Sequence, residues 1–145
     1  MMPHQDAVLL DTCAVIWLAN GDPMLPQAMH AITAAGLARA IHVSPISACE
    51  IGLLSRPRSG KPSELNFQPD PKAWFARLMS GPGICEAPFT ADIAIEASHL
   101  PGDLHGDPAD RLIIATARHF RLPVVTRDRK IVAYGEAGFV KVIAC

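Results

Sequence analysis

The feature that most constrains this chain is a recurring pair: a short unbroken apolar run, then a stretch with helical spacing. Ala7 to Leu10 runs into Asp11 and then into a helical pattern from Cys13 to Leu18, which stops at Asn20-Gly21. Pro26 to Ala40 is Ala-rich and helical, Ile41 to Val43 is a short strand, and Ser44-Pro45 opens a helix through about Ser55. Arg56 to Pro71, with several prolines, Gly60 and a basic trio, reads as an exposed loop, and Pro71 restarts a helix to about Met79. Ile84 to Ala87 is a strand, and Thr90 caps a helix to about Leu100. Asp107-Pro108 starts a strongly apolar helix to about Phe120, Pro123 to Thr126 is another buried strand, and Phe139 to Ile143 a last one. Apolar strands alternating with helices predict a parallel sheet covered on both faces, an α/β fold of the three-layer α/β/α sandwich type.

A chain of 145 residues fits one domain, spanning 1–145, with a single core. Half the residues are hydrophobic and 19% are charged, yet no run is long enough for a membrane span. The apolar stretch near the N-terminus has Asp11 in its middle and no Lys or Arg before it, so it is not read as a signal sequence, and a cytoplasmic protein is expected. Cys13, Cys49, Cys85 and Cys145 lack C-x-x-C spacing and read as free thiols, with Cys13 and Cys49 as small buried side chains. A net charge of −1 limits any nucleic-acid contact to a local patch.

In open parallel sheets the ligand crevice lies beyond the carboxyl ends of the strands, where Asp11 and Asp128 fall. Taken singly, each acid reads better as a helix cap than as a ligand. Glu50 shares a helical face with Ile46, Leu53 and Leu54, and a glutamate turned toward a core needs a salt bridge or a metal. Asp110 has Ile113 and Ile114 one turn further on. Asp107 is accounted for as an N-cap before Pro108, and Arg111 and Arg118 as a solvated face. Carboxylates gathered in one crevice repel, so a cation gives the arrangement its physical sense, and an all-oxygen set selects hard ions, Mg²⁺ or Mn²⁺, rather than zinc. The chemistry such a site supports is phosphodiester hydrolysis.

The segments LLDTCAVIWL (Leu9 to Leu18), SPISACEIG (Ser44 to Gly52), GDPADRLIIATA (Gly106 to Ala117) and PVVTRD (Pro123 to Asp128) together resemble the PIN domain, and more narrowly the VapC family of toxins. The resemblance covers nearly the whole chain. It implies a mainly parallel five-stranded sheet, divalent-metal-dependent endoribonuclease activity, homodimerisation, and neutralisation by a cognate antitoxin whose tail lies over the active site. By the same resemblance Asp11, Glu50, Asp110 and Asp128 are the catalytic, metal-holding quartet, with Thr12 and Thr126 as supporting hydroxyls; Asp107, mainly a cap, is taken as a supporting acid beside them. Arg56, Arg58 and Lys61 after the Glu50 helix, and Arg127, Arg129 and Lys130 around Asp128, are candidates to track an RNA backbone. Trp17 and Trp74 have apolar helical spacing and read as core or dimer contacts.

Other readings meet obstacles. A haloacid-dehalogenase-like phosphatase needs a second Asp where Cys13 stands, and a receiver domain needs an acidic pair before the first strand ends. The alternative from another class is a non-catalytic interaction module, a partner-bound corepressor subunit whose acids are structural.

Overall fold

The computed structural model describes residues 5–57, 67–104 and 106–145. Its elements run β1 (Val8–Leu10), α1 (Thr12–Asn20), α2 (Pro26–Leu37), β2 (Ile41–Val43), α3 (Pro45–Leu54), α4 (Pro71–Met79), β3 (Ile84–Glu86), α5 (Ala91–Ser98), α6 (Pro108–Phe120), β4 (Val124–Thr126), α7 (Arg129–Glu136) and β5 (Val142–Ala144). The five strands form one sheet in the order β3-β2-β1-β4-β5, and every neighbouring pair is parallel. The expected parallel α/β/α architecture is what the chain adopts.

Alternation along the central strands separates two cores. Val8, Leu10, Val43 and Val125 face a core shared with α1 and α2, whereas Leu9 and Val124 face one built with α6 through Ile113 and Ala117. Both faces of β1 are therefore buried, which is why its sequence is unbrokenly apolar. The helices start where the sequence supplies caps. Asp11, Ser44, Asp70, Thr90, Asp107 and Asp128 each accept a backbone N–H of the helix that follows, and Pro occupies the first turn of α2, α3, α4 and α6.

Several expectations change. Helix α2 ends at Leu37 rather than Ala40, because Arg39 adopts a left-handed φ of 56° and Ala40 N–H returns to Ala35 O at 2.8 Å, turning the chain into β2. The last strand is Val142–Ala144, since Phe139 instead stacks on Tyr134 with ring centroids 5.0 Å apart. Helix α7 was not anticipated. Cys13 and Cys49 are exposed rather than buried: Cys13 lies in the first turn of α1 at the crevice, and Cys49 is on the outer face of α3 beside Leu53, itself 55% exposed.

Candidate active site

The strand order reverses at β1: the chain adds β2 and β3 on one side, then β4 and β5 on the other. The carboxyl ends of β1 and β4 thus border the crevice where open parallel sheets bind ligands. Asp11 is the first residue past β1 and is 5% exposed. Its backbone N–H reaches Val125 O at 3.1 Å, so it is still fastened to β4. One carboxylate oxygen, Oδ1, accepts the Ala14 N–H at 2.9 Å and caps α1, while Oδ2 accepts the hydroxyl of Thr126. The Thr126 oxygen in turn accepts the Asp128 N–H at 3.0 Å. Asp128 caps α7, its Oδ1 accepting from Lys130 N at 2.8 Å and Ile131 N at 3.1 Å.

From the other side of β1, α3 brings Glu50. Thr12 Oγ1 donates to Glu50 Oε1 and lies 3.0 Å from Ser47 Oγ. Glu50 is half-buried, and the exposure of Leu53 shows that its face is the edge of the core rather than its interior. Asp110 stands in the first turn of α6, its N–H held at 3.2 Å by the capping Asp107 Oδ1. The structure thus brings Asp11, Glu50, Asp110 and Asp128 to one crevice with Thr12 and Thr126 bracing two of them, and Asp107 on the rim. A cavity of about 390 Å³ there is lined by Asp107, Asp110, Asp128, Arg129 and Lys130. A larger one of about 940 Å³ runs along β5 and shares none of these residues.

Burial and mutual repulsion mark the cluster electrostatically. Burial lifts the Asp11 carboxyl to about 6, against the lowering effect of its bonds to Thr126 and Ala14, and the charges of Asp128 and Glu50 add to the rise. Asp110 rises to about 7, from burial first and then from Asp107, Asp128, Glu50 and Asp11. The Cys13 thiol, on a residue exposed overall but with its sulfur partly desolvated among its neighbours, is pushed up to about 11 by that desolvation first and then by all four quartet carboxylates, so they converge beside the amino end of α1.

Of the basic candidates, Arg129 and Lys130 line the acidic cavity, and Arg56 is exposed just beyond α3. Arg58 and Lys61 lie outside the described residues. Arg127 lies over the Trp17 ring, its guanidinium carbon 3.3 Å from the centroid. Arg111 is not on a solvated face: half-buried, it donates to Ala97 O at 3.0 Å and Leu104 O at 3.2 Å, tying the end of α5 and the following loop to α6. Sequence reasoning missed Ser47, whose signal is its place one turn before Glu50 on a helix otherwise apolar there.

Among the described residues, no three His, Cys, Asp or Glu side chains are grouped tightly enough to hold a metal ion as they stand. The donor chemistry nevertheless fits a hard divalent cation: carboxylate oxygens braced by hydroxyls, two of them held protonatable near neutrality by burial and by one another. A cation held by Asp11, Glu50, Asp110 and Asp128 would relieve that repulsion.

A parallel α/β/α sandwich with acids gathered at the carboxyl ends of β1 and its neighbours is the class this fold and site define. Residues 8–137 match the PIN domain, and the chain belongs to that family. The fold is similar to that of VapBC2 from Rickettsia felis bound to a DNA fragment from its promoter, with 15% identity, 95% of this chain and 98% of the other covered, and a TM-score of 0.64. It is also similar to DNA-bound VapBC from Salmonella typhimurium (16% identity, 99% and 98% covered, TM-score 0.61) and to FitAcB from Neisseria gonorrhoeae (21% identity, 94% and 96% covered, TM-score 0.55). No curated protein matches the chain.

Proposed function

We propose that this chain, as a single domain over 1–145, is a divalent-metal-dependent endoribonuclease and the VapC-type toxin of a toxin-antitoxin pair. The observation that carries the reading is the meeting, in one crevice, of carboxylates from four separated segments, of which Asp11 is buried and Asp110 and Asp11 are both lifted toward neutral pH. Asp11, Glu50, Asp110 and Asp128 would hold Mg²⁺ or Mn²⁺. Bound there, the ion supplies Lewis acidity toward a phosphodiester and lowers the pKa of attacking water.

The chain's own residues do the positioning. Thr126 fixes one oxygen of Asp11 and the backbone of Asp128, so β4 sets the spacing of those two acids. Thr12 turns Glu50 toward the crevice, with Ser47 behind it. Arg56, Arg58, Lys61, Arg127, Arg129 and Lys130 track the RNA backbone, and the helix N-termini behind Asp11, Asp107 and Asp128 soften the repulsion among the acids. The partners are RNA, a cognate antitoxin and a second copy of the chain, in the cytoplasm. The VapBC and FitAcB assemblies of similar fold support the antitoxin partner, and the cavity of about 390 Å³, lined by three carboxylates together with Arg129 and Lys130, suits a polar, charged segment of such a protein. No helix among the described residues is long and apolar enough to cross a membrane.

One observation favours the non-catalytic corepressor reading: Asp11, Asp107 and Asp128 all have structural work as caps. Incubation of the purified chain with total RNA, with and without chelator, and mapping of the cut ends separates the two. Discrete, chelator-sensitive ends support the nuclease; intact RNA at every ion concentration leaves the interaction module.

A further inference from the structure

We infer that Arg127, stacked on Trp17, is a pre-positioned contact for an RNA phosphate flanking the one at the carboxylates, on the α1 side of the sheet. This rests on the reading above that the substrate is RNA.

The argument starts from strand alternation. Val124 packs into the α6 core and Val125 into the α1 and α2 core, so Thr126 returns to the first face and Arg127 to the second. Thr126 accordingly meets Asp11 and Arg127 meets Trp17 of α1. The guanidinium is held twice, by the ring face at 3.3 Å and by Nε donating to Cys145 O at 3.2 Å, while the side chain remains exposed. An exposed arginine ordinarily loses much rotamer freedom on gripping an anion; this one is already ordered, so that loss does not weigh against binding. Arg127 sits in the chain between Thr126, which holds Asp11, and Asp128, so its side chain starts from the edge of the crevice. Arg129 and Lys130 stand with Asp107, Asp110 and Asp128 in the cavity. Positive charge therefore brackets the acids from both sides of β4. Arg111 and Arg118, by contrast, are spoken for: Arg111 donates to Ala97 O and Leu104 O, and Arg118 to Phe139 O.

The test compares full-length wild type, Arg127→Ala, Arg127→Lys, Trp17→Phe and, as a distant control, Lys72→Ala. The probe is a short single-stranded RNA that the wild type cuts; cleavage is followed under steady state, and binding is measured with Ca²⁺ in place of the active ion over a range of salt. Arg127→Ala should weaken binding roughly tenfold at low salt, reduce the salt slope by about one, and place its loss on KM more than on kcat. Arg127→Lys should keep the slope and lose several-fold in affinity, because an ammonium does not lie flat on the ring. Trp17→Phe, which keeps a smaller ring in the core, should fall between wild type and Arg127→Ala. Lys72→Ala should match the wild type. Unchanged affinity and slope in Arg127→Ala, or a loss confined to kcat, overturns the inference while leaving the nuclease standing. A wild type that neither binds nor cuts any RNA overturns both.

Discussion

The Thr126 hydroxyl has one proton, and the structure spends it on Asp11, while its oxygen accepts the Asp128 N–H. Thr126→Val preserves shape but leaves a buried carboxylate oxygen and a backbone donor unanswered. It should cost about 1–3 kcal/mol in chemical denaturation, and Thr126→Ser should recover most of it. Asp11→Asn keeps an oxygen for the Ala14 N–H, since Asn caps helices as well as Asp, but removes the charge. Cleavage should vanish while the far-UV spectrum stays that of the wild type. Asp110 carries a signed prediction in pH. Its folded value of about 7 lies above the unfolded range near 3.9, so rising pH ionises the unfolded chain first. Its contribution to stability is complete below about pH 4 and is lost as pH climbs through about 7. Metal-free Asp110→Asn should therefore gain on the wild type across that window, reaching on the order of 1 kcal/mol at neutral pH, and should forfeit most of the stabilisation by Mg²⁺. Thermal melts at pH 4.5 and 7.5, at fixed ionic strength, read both effects. An Asn variant less stable at both pH values would make Asp110 a capping acid alone.

Helices α1, α6 and α7 begin at Asp11, Asp107 and Asp128, so the same carboxylates start the elements and populate the crevice. This double use explains what could be read in advance. Asp107-Pro108 and Ser44-Pro45 announce helices locally, and α3 and α6 were legible nearly to the residue. Helix α7 was not: only Ile131 and Tyr134 of its eight residues are buried, too few to reveal a period before the packing partner is known. The cap reading of Asp128 was the signal for it. Cys13 and Cys49 were misplaced because residue type says little about which side of a helix meets the core. Glu50 could be singled out from its neighbours, whereas the pairing of Thr12 with Glu50 spans 38 positions and no local pattern encodes it. The capping role itself is testable. Asp128→Ala should speed hydrogen exchange at Lys130 and Ile131 and lower stability by about 1 kcal/mol, whereas Asp128→Asn should leave both nearly unchanged.

For the whole molecule, an all-parallel sheet directs every strand's carboxyl end to one edge, and the acids of the crevice gather there. That much followed from apolar runs alternating with helical spacing; the order β3-β2-β1-β4-β5 did not, because which strands pair depends on contacts far apart in sequence. A site built only of oxygen donors should work with Mg²⁺ or Mn²⁺, stop in EDTA, and bind Ca²⁺ with little turnover, which a cleavage assay across the ions measures directly. The place of β4 beside the central strand β1 also has a consequence for synthesis. Strand β4 lies between β1 and β5 and carries Thr126, the partner that Asp11 meets across 115 positions. On the ribosome Asp11 emerges 115 positions before Thr126. Until β4 inserts beside β1, Asp11 has neither its hydroxyl brace nor the Val125 carbonyl that anchors its backbone, so the crevice around Asp11 takes shape only after residues 124–126 have been made.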